Sequence, residues 1–185
     1  RGYDKYPVFS PDGSKIAWQS MERDGYESDL DRLFVYNIKT GERKWLTRGW
    51  DYDVESINWA DNEKICFVCA YRGTAQVFVT DISGSPVKKL TEGMHDLGPL
   101  NLKSGVMIAG LTSMSMAPEI SSIDLSSGEV KQITSINKSI YESVKMGRTE
   151  ERFIRTSDNK EMQMWIIYPP DFDPSKKYPA ILFCK

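Results

Sequence analysis

The feature that most constrains this chain is a repeat of about 44 residues. An apolar–threonine pair recurs 44 and then 43 residues apart, and a turn containing Asn or Asp followed by Gly comes before each pair. The repeated positions are Leu46-Thr47, Leu90-Thr91 and Ile133-Thr134; Asn37, Asp81 and Asp124; and Gly41, Gly84 and Gly128. A fixed period of this length indicates one supersecondary unit that is repeated along the chain and stacks on its neighbours.

The first half of each unit is predicted as strand, tight turn and strand. In residues 9–18 two predicted strands flank Pro11-Asp12-Gly13, and in residues 59–67 Asp61-Asn62 takes the corresponding place. These turn residues tolerate the backbone conformations that close a hairpin. The third copy, residues 100–109, has lost this signature. With the second half added, each period holds about four short strands, as in a β-propeller blade.

A β-sandwich also has strands at regular spacing, but it gives no reason for the Thr, Asn/Asp and Gly positions to repeat in phase. The continuously apolar runs 33–36 and 65–70 favour the propeller too, because both faces of a blade pack on neighbours. The predicted blades are residues 1–47, 48–91 and 92–134. Since a ring takes about four to eight blades, either the parent has more blades upstream or this fragment leaves two blade faces exposed. An isolated fragment is then expected to self-associate through those faces.

The period stops after the third repeat, which divides the chain into blades with a linker, residues 1–145, and a second region, residues 146–185. In the second region, residues 152–156 and 162–168 are predicted as two strands around a polar turn. The apolar run 180–184 is predicted as a strand buried inside an α/β sheet. The expected fold class is therefore all-β, a partial propeller of about three four-stranded blades, followed by the first strands of an α/β domain.

Composition favours neither a nucleic-acid nor a membrane partner, because the net charge is −2 and no apolar run approaches the ~20 residues that span a bilayer. Cys66 and Cys69 form a C-x-x-C, but residues three apart on a strand point to opposite faces, which predicts two core thiols. His95 is predicted as a solvated loop histidine, because the sequence has no G-x-S-x-G serine for it to serve. No catalytic residue, metal ligand or cofactor is predicted within the chain.

Four carboxylates crowd one loop: Asp24, Glu27, Asp29 and Asp31. The first hypothesis is that this loop binds Ca²⁺, which prefers hard oxygen ligands. The spacing is not that of an EF-hand, however, and surface loops are often acidic. The second hypothesis is that the loop projects towards a substrate cavity and that Glu27 meets the amino terminus of a peptide. Glu27 is the one substrate-binding residue that the sequence predicts.

Three stretches resemble the prolyl-oligopeptidase family of serine peptidases. Residues 168–179, Tyr-Pro-Pro-Asp-Phe-Asp-Pro-Ser-Lys-Lys-Tyr-Pro, followed by an apolar strand, look like the start of the hydrolase domain of those enzymes. Residues 9–18, Phe-Ser-Pro-Asp-Gly-Ser-Lys-Ile-Ala-Trp, resemble their blade motif. Residues 20–29 resemble a loop of the branch that contains acylaminoacyl-peptidases and dipeptidyl-peptidase V.

The resemblance implies that residues 146–185 begin an α/β-hydrolase domain. It also implies a parent enzyme that hydrolyses short peptides with a Ser, Asp and His triad placed after Lys185. The propeller then gates substrate access, and this chain alone is an inactive fragment. Two alternatives stay open: a non-catalytic TolB-like propeller that binds protein partners, and a propeller joined to another hydrolase such as an esterase. Peptide length, P1 preference and compartment are not predicted.

Overall fold

The computed structural model describes residues 2–184, and its strands form three four-stranded antiparallel sheets and one hairpin. The first sheet contains β1 (Asp4–Phe9), β2 (Lys15–Ser20), β3 (Arg32–Asn37) and β4 (Arg43–Trp45). The second contains β5 (Glu55–Trp59), β6 (Lys64–Tyr71), β7 (Thr74–Asp81) and β8 (Lys88–Lys89). The third contains β9 (Asp96–Lys103), β10 (Val106–Ser113), β11 (Met116–Ile123) and β12 (Val130–Gln132). Within each sheet the strands follow chain order, which confirms the predicted four-stranded blades.

The repeated threonines hold the fourth strand of each sheet to the third. Each threonine hydroxyl accepts the backbone N–H of the residue 14 positions earlier. The three pairs are Leu33 to Thr47 at 3.1 Å, Val77 to Thr91 at 2.9 Å and Ile120 to Thr134 at 2.8 Å. At this point the backbone N–H has a side chain as its hydrogen-bond partner and not the backbone of the neighbouring strand. This shared task explains why Thr recurs at the same position of each unit.

The repeated Asn and Asp positions close the turns between the third and fourth strands. Asn37 accepts the N–H of Lys39 at 3.0 Å, and Asp81 accepts the N–H of Ser83 at 2.8 Å. This is the turn geometry that Asn and Asp side chains favour. Hydrogen bonds from Ser83 and Ser85 lower the pKa of Asp81 to about 2.

Two hydrophobic clusters hold the three sheets together. One joins residues of the first and second sheets, including Leu33 and Phe67, and the other joins the second and third, including Val77 and Met107. The second sheet is thus packed on both faces, which explains its continuously apolar strands. Cys69 lies in the first cluster and Cys66 in the second, so the prediction that their thiols diverge is confirmed.

The chain after Ile136 forms a separate compact unit. It contains one short helix, α1 (Lys138–Ser143), and the hairpin of β13 (Thr149–Arg155) and β14 (Glu161–Ile167). The hairpin confirms the two strands predicted in this region, whereas α1 was not predicted. Within residues 2–184 no helix has the length and apolarity that crossing a membrane requires. The boundary at residue 145 and the hydrolase assignment of residues 146–185 stay predictions.

The buried strand predicted for residues 180–184 is wrong for the described chain. This run has no strand conformation, and Ile181, Leu182 and Phe183 are exposed. The physical reason is that a strand needs a neighbour to pair with its backbone groups, and no strand within residues 2–184 pairs with this run. An apolar run in a sequence indicates a preference for burial but does not specify the neighbour that supplies it.

Candidate functional site

The acidic loop, residues 21–31, connects β2 to β3 in the first sheet. Adjacent strands of this sheet are antiparallel and follow chain order. The loop therefore leaves the sheet at the end opposite to the turns β1–β2 and β3–β4. Glu27 and Glu42, which are both exposed, thus lie at opposite ends of the same sheet.

Two ion pairs anchor the base of the acidic loop. Lys5 on β1 pairs with Asp31 at 2.8 Å. Arg32, the first residue of β3, pairs with Glu22 at 3.2 Å and also donates through Nε to the carbonyl of Ser20 at 3.0 Å. Two of the loop's five carboxylates are consequently neutralised where the loop joins the sheet.

A third ion pair closes the tip of the acidic loop. Arg23 donates through Nε to Asp29 at 2.9 Å and through its backbone N–H at 2.7 Å, and its Nη2 contacts the same carboxylate. The guanidinium lies 3.6 Å from the centroid of the Tyr26 ring. The Asp29 side chain is only 8% exposed, and the hydrogen bond from Arg23 lowers the pKa of its carboxyl below the ordinary value. We call this contact set the Arg23–Asp29 clamp.

Glu27 lies inside the segment that the clamp closes, and it is exposed. Across residues 2–184 no hydrogen bond or ion pair joins its carboxylate, and the same holds for the exposed Asp24. A free carboxylate on a loop whose other carboxylates, except Asp24, are ion-paired is suited to binding a cationic group such as an ammonium. The structure therefore keeps Glu27 available, and its role as a substrate ligand stays a prediction.

The calcium hypothesis finds no support in the geometry of the acidic loop. Asp29 and Asp31 face cations of this chain, which leaves Asp24 and Glu27 as unpaired carboxylates. No group of three or more His, Cys, Asp or Glu residues in the described part of the chain is arranged to hold a metal ion.

His95 lies between β8 and β9. It is half-buried, and its Nε2 has no hydrogen-bond partner among the described residues. Burial lowers the pKa of its imidazole, so the prediction of a solvated histidine is wrong. The reason is local: the ring folds over Gly93, while Gln76 Nε2 donates to the carbonyls of Gly93 and His95 at 3.0 and 2.9 Å.

Sequence reasoning missed Arg23 and Tyr26 as members of the site. Their pairing depends on the path of the loop, in which Gly25 has a φ of +68° that L residues rarely adopt. The signal available in the sequence was an Arg and an Asp six positions apart on either side of that glycine.

Comparisons with known proteins agree with this architecture. Residues 1–160 match the family described as the TolB beta propeller domain. Dipeptidyl-peptidase 5 of Porphyromonas gingivalis is 39% identical over 185 residues, covering 100% of this chain and 27% of the relative. The chain thus spans about a quarter of the length of the curated relatives it matches.

Two solved structures share the fold. An acylaminoacyl peptidase in complex with Z-Gly-Gly-Phe-chloromethyl ketone has a TM-score of 0.75 at 22% identity, over 94% of this chain and 26% of the other. The Pyrococcus horikoshii acylaminoacyl peptidase has a TM-score of 0.71 at 22% identity, over 89% of this chain and 25% of the other. The chain belongs to the TolB beta propeller domain family, and its relatives place it in the propeller portion of the prolyl-oligopeptidase-family peptidases.

Proposed function

We propose that this chain is the blade portion of a serine peptidase that hydrolyses short peptides from their amino end, of the dipeptidyl- or acylaminoacyl-peptidase type. In this proposal the propeller gates substrate access, and the chain alone is inactive because the triad lies in the hydrolase domain. The observation that carries the proposal is Glu27, a free carboxylate on an ion-paired loop of a propeller whose relative is a dipeptidyl-peptidase.

Glu27 favours substrates with a free amino terminus. The α-amino group of such a peptide is an ammonium at neutral pH, and a carboxylate binds it through charge-assisted hydrogen bonds. An acylated amino terminus has no charge and gains little from the same carboxylate. A carboxylate fixed at one distance from the reacting serine also sets how many residues are released. Within the proposed class, this role of Glu27 therefore favours the dipeptidyl form over the acylaminoacyl form.

The test uses the complete protein and two fluorogenic dipeptide substrates, one with a free amino terminus and one N-acetylated. We expect Glu27→Gln to raise KM for the free substrate about tenfold, the size of one charge-assisted hydrogen bond, with kcat unchanged. KM for the acetylated substrate should not change, because that substrate has no ammonium to lose.

Glu42→Gln is the matched control, since it removes the same charge from the other end of the same sheet. An unchanged KM in Glu27→Gln would discard the role of Glu27. If the unmodified protein hydrolyses neither substrate, the peptidase proposal itself fails and the non-catalytic, partner-binding propeller takes its place.

A further inference from the structure

We infer that Arg23 and Asp29 are positioning residues for the amino terminus of the peptide, because their clamp fixes Glu27 and removes the competing charges around it. This inference rests on the proposed role of Glu27. It adds two residues, neither of which touches the substrate, to the determinants of substrate affinity.

The clamp joins Arg23 and Asp29 through several contacts at once. Arg23 reaches one carboxylate with its side chain and its backbone at once, with Nε at 2.9 Å and the backbone N at 2.7 Å. Because the Asp29 side chain is 8% exposed, water has limited access to that carboxylate. Exposed ion pairs generally contribute little, but a planar guanidinium that makes several bonds to a shielded partner holds a defined geometry.

The clamp holds the chain on both sides of Glu27. On one side, Tyr26 lies under the Arg23 guanidinium at 3.6 Å. Two residues after Glu27, Asp29 is bound by the same arginine, and its N–H donates to the carbonyl of Tyr26 at 3.1 Å. A ligand that meets an ordered Glu27 has less conformational entropy to remove on binding than one that must order the loop.

The clamp also removes the free positive charge near Glu27. The pairs Glu22–Arg32 and Asp31–Lys5, together with the clamp, occupy every cation within residues 21–32 and leave only Asp24 and Glu27 unpaired. Breaking the clamp by Asp29→Asn frees the Arg23 guanidinium four residues from Glu27. A free guanidinium competes with the substrate ammonium for the Glu27 carboxylate.

The test uses the complete protein with Asp29→Asn, Arg23→Gln and Arg23→Lys, on the free and N-acetylated dipeptide substrates. Asp29→Asn and Arg23→Gln should raise KM for the free substrate about five- to tenfold with kcat unchanged, and should leave the acetylated substrate unaffected. Arg23→Lys keeps the charge but loses the planar geometry, so its KM should be intermediate. Adding Asp29→Asn to Glu27→Gln should cause no further rise, because the clamp acts through Glu27.

Glu142→Gln is the control for loss of an exposed ion pair, since it breaks the Lys138–Glu142 pair of 3.6 Å in the second unit. The melting temperature of each variant separates a local effect from unfolding, with Arg23→Lys as the mildest change. A rise in KM for both substrates, or unchanged KM for the free substrate while Glu27→Gln raises it, would overturn the inference and leave the proposed function standing. An unchanged KM in Glu27→Gln overturns the inference together with the role of Glu27, whereas the peptidase proposal fails only if the unmodified protein hydrolyses neither substrate.

Discussion

Cys66 and Cys69 show how two side chains of one strand contribute to two different hydrophobic clusters. Both lie on β6, with Cys66 packed towards the third sheet and Cys69 towards the first. Burial disfavours the charged thiolate and raises the pKa of Cys66 to about 11 and that of Cys69 to about 12. Since the thiolate is the reactive form, neither residue should act as a nucleophile or metal ligand at neutral pH.

The buried thiols can be tested by alkylation followed by mass spectrometry. In the folded chain at pH 8 we expect iodoacetamide to label the exposed Cys184 and to spare Cys66 and Cys69, whereas all three react in urea. The ordinary thiol pKa is 9.0, so above pH 9 the unfolded thiols ionise while the folded ones stay protonated. The unfolded state then binds fewer protons, and the free energy of unfolding should fall as pH rises above 9. Labelling of Cys66 in the folded chain as fast as in urea would contradict this account.

The hydrogen bonds of the repeated threonine can be tested at Thr91, which joins the third and fourth strands of the second sheet. Its hydroxyl accepts the N–H of Val77 at 2.9 Å and donates to Gln76 Oε1 at 2.7 Å, and all three residues are fully buried. Thr91→Val keeps the shape but leaves two buried polar groups without a partner, so the free energy of unfolding should fall by about 1–3 kcal/mol. Thr91→Ser keeps the hydroxyl and should lose less. Urea denaturation measures both, and an unchanged stability of Thr91→Val beside a loss in Thr91→Ser would show that the methyl group, not the hydroxyl, carries the effect.

The same elements show what the sequence could and could not predict. The period predicted the four-stranded sheets, because Thr47, Thr91 and Thr134 each perform the same local task in their own unit. The Arg23–Asp29 clamp was not predictable from periodicity, since it depends on a loop path that occurs once. The prediction of a buried strand at residues 180–184 was wrong because burial depends on a neighbouring element. The composition of a segment does not reveal whether such a neighbour is present. Local chemistry was thus more predictable than contacts between segments.

At the scale of the whole molecule, the first and third sheets each direct one face away from the second sheet. On the first sheet, Trp18, Phe34 and Trp45 stack with centroids 5.6 and 5.9 Å apart. Arg43 lies over the Phe34 ring at 4.3 Å, and Arg32 lies over the Trp45 ring at 5.1 Å. This cover leaves Phe34 only 9% exposed, so the first sheet has a partly shielded outer face.

The third sheet has a less shielded outer face, where Val106, Ile108 and Ile120 are 60%, 38% and 45% exposed. These residues alternate with Met107, Ala109 and Ser121, which are buried on the opposite side. Exposed apolar sheet surface favours association because pairing removes it from water. The self-association expected from the sequence should therefore involve this face more than that of the first sheet.

Static light scattering of the 185-residue chain over a concentration series tests this expectation. The apparent mass should rise with concentration, and Ile108→Lys combined with Ile120→Lys should lower it, because two charges on an apolar face must be desolvated for the face to pair. Ile38→Lys is the matched control, since Ile38 is 46% exposed but lies in the turn after β3 and not on a sheet face. Equal masses for the double variant and the control would show that another surface mediates association. A strictly monomeric mass at every concentration would show instead that the exposed isoleucines are too few, or too dispersed among polar residues such as Ser122 and Lys131, to hold two copies together.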